Sequence, residues 1–296
     1  MSSSPISRAA IASAILAFGL WGLLPIYWKA LGQLGSDVAI AQRVVWTMVV
    51  VIPLLWFRSE VRVWLAAFRN PGILKTHLLS GGLLAVNWTV FVWAAQHGHI
   101  VDASLGYFIN PLFNVLIGRL WLGERLSPLQ AWSIGFATLG VLAQIVLVGR
   151  VPWIGLLLAV SFAAYGWVRR HSSLGSLTGL GMETLLWLPL AIVWLGRASF
   201  QNVAIWGDSS VRDLALIAGL GIVTAAPLLG FAHAARNLPF SVLGVLQFLA
   251  PTGQFLLGAL FYLEPLSPGR WVSFGFIWIG VIAFCLELIW RSRSTP

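Results

Sequence analysis

The amino-acid sequence predicts an all-α integral membrane protein in which ten transmembrane helices form two inverted five-helix repeats. Three observations lead to this prediction: a composition poor in charge, a series of long apolar segments, and an internal repeat. Of the 296 residues, 59% are hydrophobic and only 9% are charged. A soluble domain carries about 25% charged residues, so this chain cannot cover a water-facing surface and requires lipid as its solvent.

Ten apolar segments follow one another along the chain, with short loops between them. Each is close to the length of about 20 residues that an α-helix needs to span a bilayer. We predict helices at about 9–30, 38–57, 74–96, 103–122, 129–148, 152–168, 177–196, 212–234, 241–263 and 270–290.

The positions of the eighteen lysine and arginine residues predict the orientation. With both termini in the cytoplasm, twelve lie at cytoplasmic loops or ends, five lie on the opposite side, and Arg43 lies within a helix. Because cytoplasmic loops carry an excess of positive charge, the sequence predicts a multi-pass protein of a bacterial inner membrane with both termini cytoplasmic. We assign the net charge of +9 to loops that contact membrane lipids, and not to a nucleic-acid-binding surface.

An internal repeat relates the two halves of the chain. A shift of 140 residues aligns the fourth and fifth predicted helices with the ninth and tenth, with 14 identities in 34 ungapped positions. The identities include Glu-x-Leu-Ser-Pro at 124–128 and 264–268. Since five helices is an odd number, two such repeats have opposite orientations in the membrane. We therefore predict inverted repeats at 1–150 and 151–296, an architecture typical of secondary transporters; a channel or a membrane enzyme is the alternative.

Among the first nine predicted helices, two ionisable residues lie clearly inside the spans, Arg43 and Glu183, and they are also 140 residues apart. A charge in the middle of a bilayer costs about 2.5–3.5 kcal/mol on insertion scales, so it normally faces the interior of the helix bundle. Inversion puts the two residues at different depths, so we predict no simple ion pair between them. They either face a central cavity and take part in coupling, or hold helices together through neighbouring backbone carbonyls.

Further polar residues fall near the middle of the predicted helices. Tyr107, Asn110 and Asn114 share one helical face because they are three and four residues apart, and Gln247 and Gln254 also share a face. Such stripes predict the wall of a substrate cavity, with interhelical hydrogen bonds as the alternative. The predicted cavity residues are Asn87, Trp88, Tyr107, Asn110, Asn114, Thr224, Gln247 and Gln254. Helix breaks or hinges are predicted at Pro111, Pro227 and Pro251.

The sequence predicts no enzymatic activity. This charge-poor chain offers no convincing pairing of a nucleophile with a base, and its glycine-rich stretches are not followed by the Lys-Ser/Thr of a phosphate-binding loop. We accordingly predict no catalytic residue, no metal site and no cofactor, and any driving force for transport would come from a gradient.

Several short motifs lie along nearly the whole chain: Arg43 to Trp46, Asn87-Trp88, Ala103 to Leu112, Gly123 to Arg125, Gly221 to Thr224, Pro227 to Leu229 and Gln247 to Thr252. These motifs resemble those of RarD-type permeases, which are EamA-type members of the drug/metabolite transporter superfamily. The resemblance implies a ten-helix inner-membrane permease with both termini cytoplasmic.

The expected function is that of a secondary transporter that moves a small metabolite or drug-like solute by alternating access, with export as the favoured direction. Glu183 is the candidate proton site, because it is the carboxylate clearly inside a span outside the last helix. The alternatives are a channel and a membrane-embedded sensing or binding subunit that transports nothing.

Overall fold

A computed structural model describes residues 8–121, 127–203, 205–207, 210–238 and 240–294. Within these ranges the chain is helical, with twelve α-helices and one π-helical segment. The helices are α1 Arg8–Ala30, α2 Ser36–Phe57, α3 Val61–Ala67, α4 Pro71–Gln96, α5 Ile100–Trp121, α6 Pro128–Val148, α7 Trp153–Arg170, α8 Ser176–Phe200, α9 Val211–Asn237, α10 Phe240–Leu246, α11 Leu249–Leu256 and α12 Pro268–Ser294.

Each of the ten predicted segments contains helix, but several begin earlier than predicted. The start of α4 shows why. The side chain of Asn70 accepts hydrogen bonds from the backbone N–H groups of Gly72 and Ile73, at 2.9 and 3.3 Å, and Pro71 occupies the first helical position. Asn is a preferred helix cap and Pro a preferred first residue, so the helix begins about one turn before the apolar run does.

The short helix α3 was not predicted. With seven residues it is far below the length needed to cross a bilayer, so an analysis based on long apolar runs does not detect it. It buries Trp64 and Ala67 and packs against α8.

The predicted ninth helix, 241–263, is divided in the structure. It consists of α10, α11 and a π-helical segment, Leu257–Phe261. Pro251 lies just after the first interruption and has no N–H to donate to the carbonyl four residues earlier, that of Gln247. A π-helical turn is a frequent feature of functional sites, and hydropathy alone contains no signal for it.

Within the described ranges, seven helices are long and apolar enough to cross a membrane: α1, α2, α4, α6, α8, the Val211–Phe231 part of α9 and the Pro268–Glu287 part of α12. Three shorter apolar helical stretches, at Ile100–Phe113, Trp153–Arg169 and Leu249–Phe261, accompany them. Large apolar side chains on these helices are exposed, for example Val146 at 76% and Val193 at 68%. Such a surface requires lipid as its surroundings, and the protein is a multi-pass integral membrane protein.

The chain folds into two compact units. Unit 1 consists of residues 1–23, 97–163 and 230–296, and unit 2 of residues 24–96 and 164–229. Each unit therefore takes segments from both halves of the sequence.

In unit 1, α12 packs along α6 and α11 packs along α5. The contacts between α6 and α12 are reciprocal. A Cβ atom added to Gly140 would lie 2.8 Å from the Ser273 carbonyl oxygen, and one added to Gly280 would lie 2.8 Å from that of Ser133. Both pairs are related by the 140-residue shift, and reciprocity of this kind is what a two-fold axis between two helices produces.

Unit 2 is built on α2 and α8, which pack along each other and are joined by α4 and α3. Its apolar core includes Met48, Leu55, Trp64, Leu177 and Met182, all buried. The residue ranges of α2 and α8 also begin 140 residues apart, at Ser36 and Ser176.

Candidate functional site

Arg43 is buried in unit 2, with 5% of its surface exposed. Its guanidinium carbon lies 3.5 Å from the centre of the Trp88 ring and 5.5 Å from that of Trp28. Its Nε atom donates a hydrogen bond of 3.0 Å to Thr224 Oγ1. Contact between a cation and an aromatic ring contributes about 2 kcal/mol or more when water is excluded, so the two indole rings offset part of the desolvation of this charge.

Glu183 is the second buried charge of unit 2, with 3% of its surface exposed. Its Oε1 atom accepts a hydrogen bond of 2.5 Å from the Ser80 hydroxyl. His77 Nδ1 lies 3.4 Å and Arg169 Nε lies 3.6 Å from the same oxygen. Tyr165 also interacts with Arg169 and Glu183. Charged side chains inside a membrane are expected to be paired in this way.

A cavity of about 30 Å³ lies beside Glu183 within unit 2. Its wall includes Glu183 and Trp187 from α8, Thr47 from α2, and Gly81 and Trp88 from α4. Glu183 Oε2, Thr47 Oγ1 and Trp187 Nε1 are buried and make no hydrogen bond to any described residue. A buried polar atom without a partner costs about 1–3 kcal/mol, and a bound polar molecule would offset that cost.

The predicted site residues of unit 2 are partly brought together. Thr224 and Trp88 both contact Arg43, while Asn87 is buried in α4 with 1% exposure. The Thr224 hydroxyl also donates to the Leu220 carbonyl within its own helix, at 2.8 Å. Thus Arg43 contacts Trp88 and Thr224, and Trp88 also lines the cavity together with Glu183.

The predicted site residues of unit 1 mainly contact neighbouring helices. The Asn110 side chain donates to the Ala159 carbonyl at 3.1 Å, and that of Gln254 donates to the Trp21 carbonyl at 3.2 Å. The Tyr107 ring meets the Phe162 ring edge-on at 6.3 Å. These contacts are of the interhelical kind that the sequence left open as the alternative to a cavity wall.

The remaining predicted residues lie at or near interruptions and prolines. Gln247 is half-buried between α10 and α11, and the side chain of Asn114 lies outside the described residues. Pro111 and Pro227 lie inside α5 and α9, which continue past them, whereas Pro251 is the third residue of α11.

Sequence reasoning missed His77, Ser80 and Arg169, which surround Glu183. The predicted sixth helix ends at 168, which puts Arg169 among the twelve basic residues at cytoplasmic loops or ends, whereas α7 continues to Arg170. A signal was present: His77 and Ser80 are three residues apart, so they share one face of α4. Trp28, which lies near Arg43, and Trp187 were missed because seventeen tryptophans occur in the chain and interfacial anchoring is their usual role.

Comparison with known proteins connects this architecture to a family of transporters. Residues 8–145 match the EamA-like transporter family. The chain is 40% identical to an uncharacterized transporter of Pseudomonas aeruginosa over 95% of each chain. It is 39% identical to Protein RarD of Streptomyces exfoliatus, over 94% of this chain and 89% of that protein.

A protein of known crystal structure has a similar fold, with a TM-score of 0.62 over 96% of this chain and 99% of that one; the two sequences are 20% identical. The fold and the relatives define a membrane transporter protein. The chain belongs to the RarD-type permeases of the EamA-like transporter family.

Proposed function

We propose that this protein is a secondary transporter that exports a small metabolite or drug-like solute by alternating access, and that it is not an enzyme. The observation that carries the proposal is the burial of two charged side chains in unit 2, Arg43 and Glu183. The relatives of this chain are named transporters. Ionisable residues at membrane depth commonly mark substrate and proton pathways. Glu183 is the candidate proton site, and Arg43 is the candidate contact for the solute.

The surroundings of Arg43 favour an amphipathic solute. Its guanidinium lies against two indole rings, so a ligand there would meet both an aromatic surface and a donor of charged hydrogen bonds. Asn87, Tyr107, Asn110, Asn114, Gln247 and Gln254 remain proposed cavity residues, and Pro111, Pro227 and Pro251 remain proposed hinges.

Alternating access requires two states of similar free energy, which two inverted repeats provide. We propose repeats at 1–150 and 151–296, together forming ten transmembrane helices. The reciprocal contacts of Gly140 with Ser273 and of Gly280 with Ser133 support this arrangement, as does the packing of α2 along its counterpart α8. We place the protein in a bacterial inner membrane with both termini cytoplasmic, where basic loops contact anionic lipids.

The test is comparative profiling of small molecules inside and outside cells that express the wild type or Arg43→Lys at equal amounts of folded protein. Lysine keeps the charge but lacks the planar guanidinium that lies against Trp88. The matched control is Arg62→Lys, since Arg62 is exposed on the short helix α3.

We expect at least one compound to leave cells that contain the wild type or the control, and to leave more slowly with Arg43→Lys. Saturation of that flux with concentration excludes a channel. The absence of any displaced compound, or binding without flux, would favour a sensing subunit and contradict the proposal.

A further inference from the structure

Three residues in the wall of the cavity beside Glu183 each carry a buried polar atom that has no hydrogen-bond partner among the described residues. Trp187 Nε1–H can only donate a hydrogen bond, an ionised Glu183 Oε2 can only accept one, and the Thr47 hydroxyl can do both. A bare cation or an ammonium group could not accept from the indole N–H, whereas a water molecule can pair with a donor, an acceptor or a hydroxyl. The cavity offers about 30 Å³ to the centre of a water-sized sphere. A single water molecule needs roughly 10–15 Å³ measured in this way, so the cavity has room for about two.

The other oxygen of Glu183, Oε1, faces His77 of α4. The ring of His77 also contacts Ser172, which lies just beyond the end of α7. His77 is fully buried, with Nδ1 3.4 Å from Glu183 Oε1 and Nε2 2.8 Å from Ser172 Oγ. Ser172 is half-buried and follows the last residue of α7 by two positions. Glu183 lies seven residues into α8, which is about 10 Å along the helix.

We propose that Glu183 is the inner end of a proton path in which water in the cavity binds Oε2, and His77 carries protons to Oε1 from the membrane face at Ser172. The proton path deepens the proposed function. Only the coupling of the path to transport rests on that function. The two ring nitrogens of a histidine allow it to accept a proton on one side and release one on the other.

The transfer step is balanced and moves only protons. A proton that arrives from water through the Ser172 hydroxyl binds His77 Nε2 and converts the neutral imidazole to imidazolium. The proton on Nδ1 then passes to Glu183 Oε1, which leaves a neutral imidazole and a carboxylic acid. Among the described residues, the charged and titratable groups that face Glu183 are His77 from α4 and Tyr165 and Arg169 from α7. Arg169 Nη1 also lies 3.5 Å from His77 Nδ1 and 3.4 Å from His77 Nε2. The Arg169 cation balances the carboxylate before the proton arrives, and the carboxylate in turn offsets the repulsion between Arg169 and an imidazolium at His77.

The test follows the carboxylic C=O band of Glu183 by infrared spectroscopy of the purified full-length protein in lipid nanodiscs after a rapid pH drop. Loss of the band in Glu183→Gln assigns it. We expect His77→Gln to slow its appearance about 100-fold, because a positioned acid–base group accelerates proton transfer by about 10²–10⁴. The control His171→Gln should retain the wild-type rate, since His171 is exposed and contacts the Trp167 carbonyl.

If His77→Gln does not fold, the same measurement is made on Ser172→Ala, which should fold because Ser172 is only half-buried. Slower appearance of the carboxylic band in this variant supports the path, and appearance at the wild-type rate contradicts it. A band unaffected by Glu183→Gln would also overturn the proposal.

Hydration is tested by a water cross-peak to the indole N–H of Trp187 in NMR spectra, assigned by its loss in Trp187→Phe. A dry indole N–H would refute the water site. Neither measurement needs a substrate, so a protein that moves no compound but retains His77-dependent protonation would disprove transport alone.

Discussion

Removal of the positive partner of Glu183 should destabilise unit 2 more than removal of any exposed arginine. Arg169 Nε lies 3.6 Å from Glu183 Oε1. At an effective dielectric constant of about 20, this separation corresponds to about 5 kcal/mol of gross attraction. Breaking a buried pair by removing one partner costs about 3–5 kcal/mol, because the other charge stays buried without compensation. We therefore expect Arg169→Gln to lower the free energy of unfolding by about that amount.

A double-mutant cycle separates this attraction from loss of packing. Glu183→Gln should cost less than Arg169→Gln, because the Arg169 side chain retains 15% exposure, against 3% for Glu183, and its guanidinium can turn towards water. The double variant should be more stable than Arg169→Gln alone, with a coupling of about 1–3 kcal/mol. The assay is reversible unfolding in mixed detergent micelles with rising sodium dodecyl sulfate, monitored by tryptophan fluorescence.

Arg197 provides the matched control, because it is exposed in the last turn of the same helix, α8. Arg197→Gln combined with Glu183→Gln should be additive within about 0.5 kcal/mol. If the effects of Arg169→Gln and Glu183→Gln on the free energy of unfolding are also additive, the electrostatic reasoning is refuted. Glu183 is then held by hydrogen bonds alone.

Two further predictions concern unit 1. Both oxygens of the buried Glu264 accept backbone N–H groups at the start of α5, each at 2.8 Å, so Glu264→Ala should cost about 2 kcal/mol in the same unfolding assay. Glu60→Ala is its control, because that side chain caps nothing, and an equal loss would contradict the capping role. Gly140→Ala should cost about 1–3 kcal/mol, because its Cβ would lie 2.8 Å from a backbone carbonyl of α12. Gly135→Ala on the same helix meets nothing within 4 Å and should not destabilise, so similar losses would refute the close approach.

Relationships that follow from residue spacing could be predicted from the sequence. The equivalence of Phe108 with Phe248, and of Phe136 with Phe276, comes from the 140-residue shift, and in unit 1 the rings of both pairs stack at 6.4 Å. Arg43 and Glu183 were identified because a charge within an apolar run is costly and requires a partner. Their burial is confirmed, while their functional roles remain proposals.

The partners of those charges could not be predicted. His77 and Arg169 approach Glu183 from α4 and α7, elements separated from it by up to about a hundred residues of sequence. Hydropathy shows that a residue is inside the membrane, but it does not show which helix faces which. The cage of Trp28 and Trp88 around Arg43 depends in the same way on helix rotation.

The sequence by itself determined that the chain is a helical membrane protein with an internal repeat, because apolar length and period are local properties of the chain. Only the tertiary structure decided that Asn110 and Gln254 donate to backbone carbonyls of neighbouring helices. It also decided that one oxygen of Glu183 lies in a charged cluster, while the other is buried without a hydrogen-bond partner among the described residues. The physical reason is that a helix fixes the spacing of its side chains, whereas the rotation of each helix about its axis is set by packing against its neighbours.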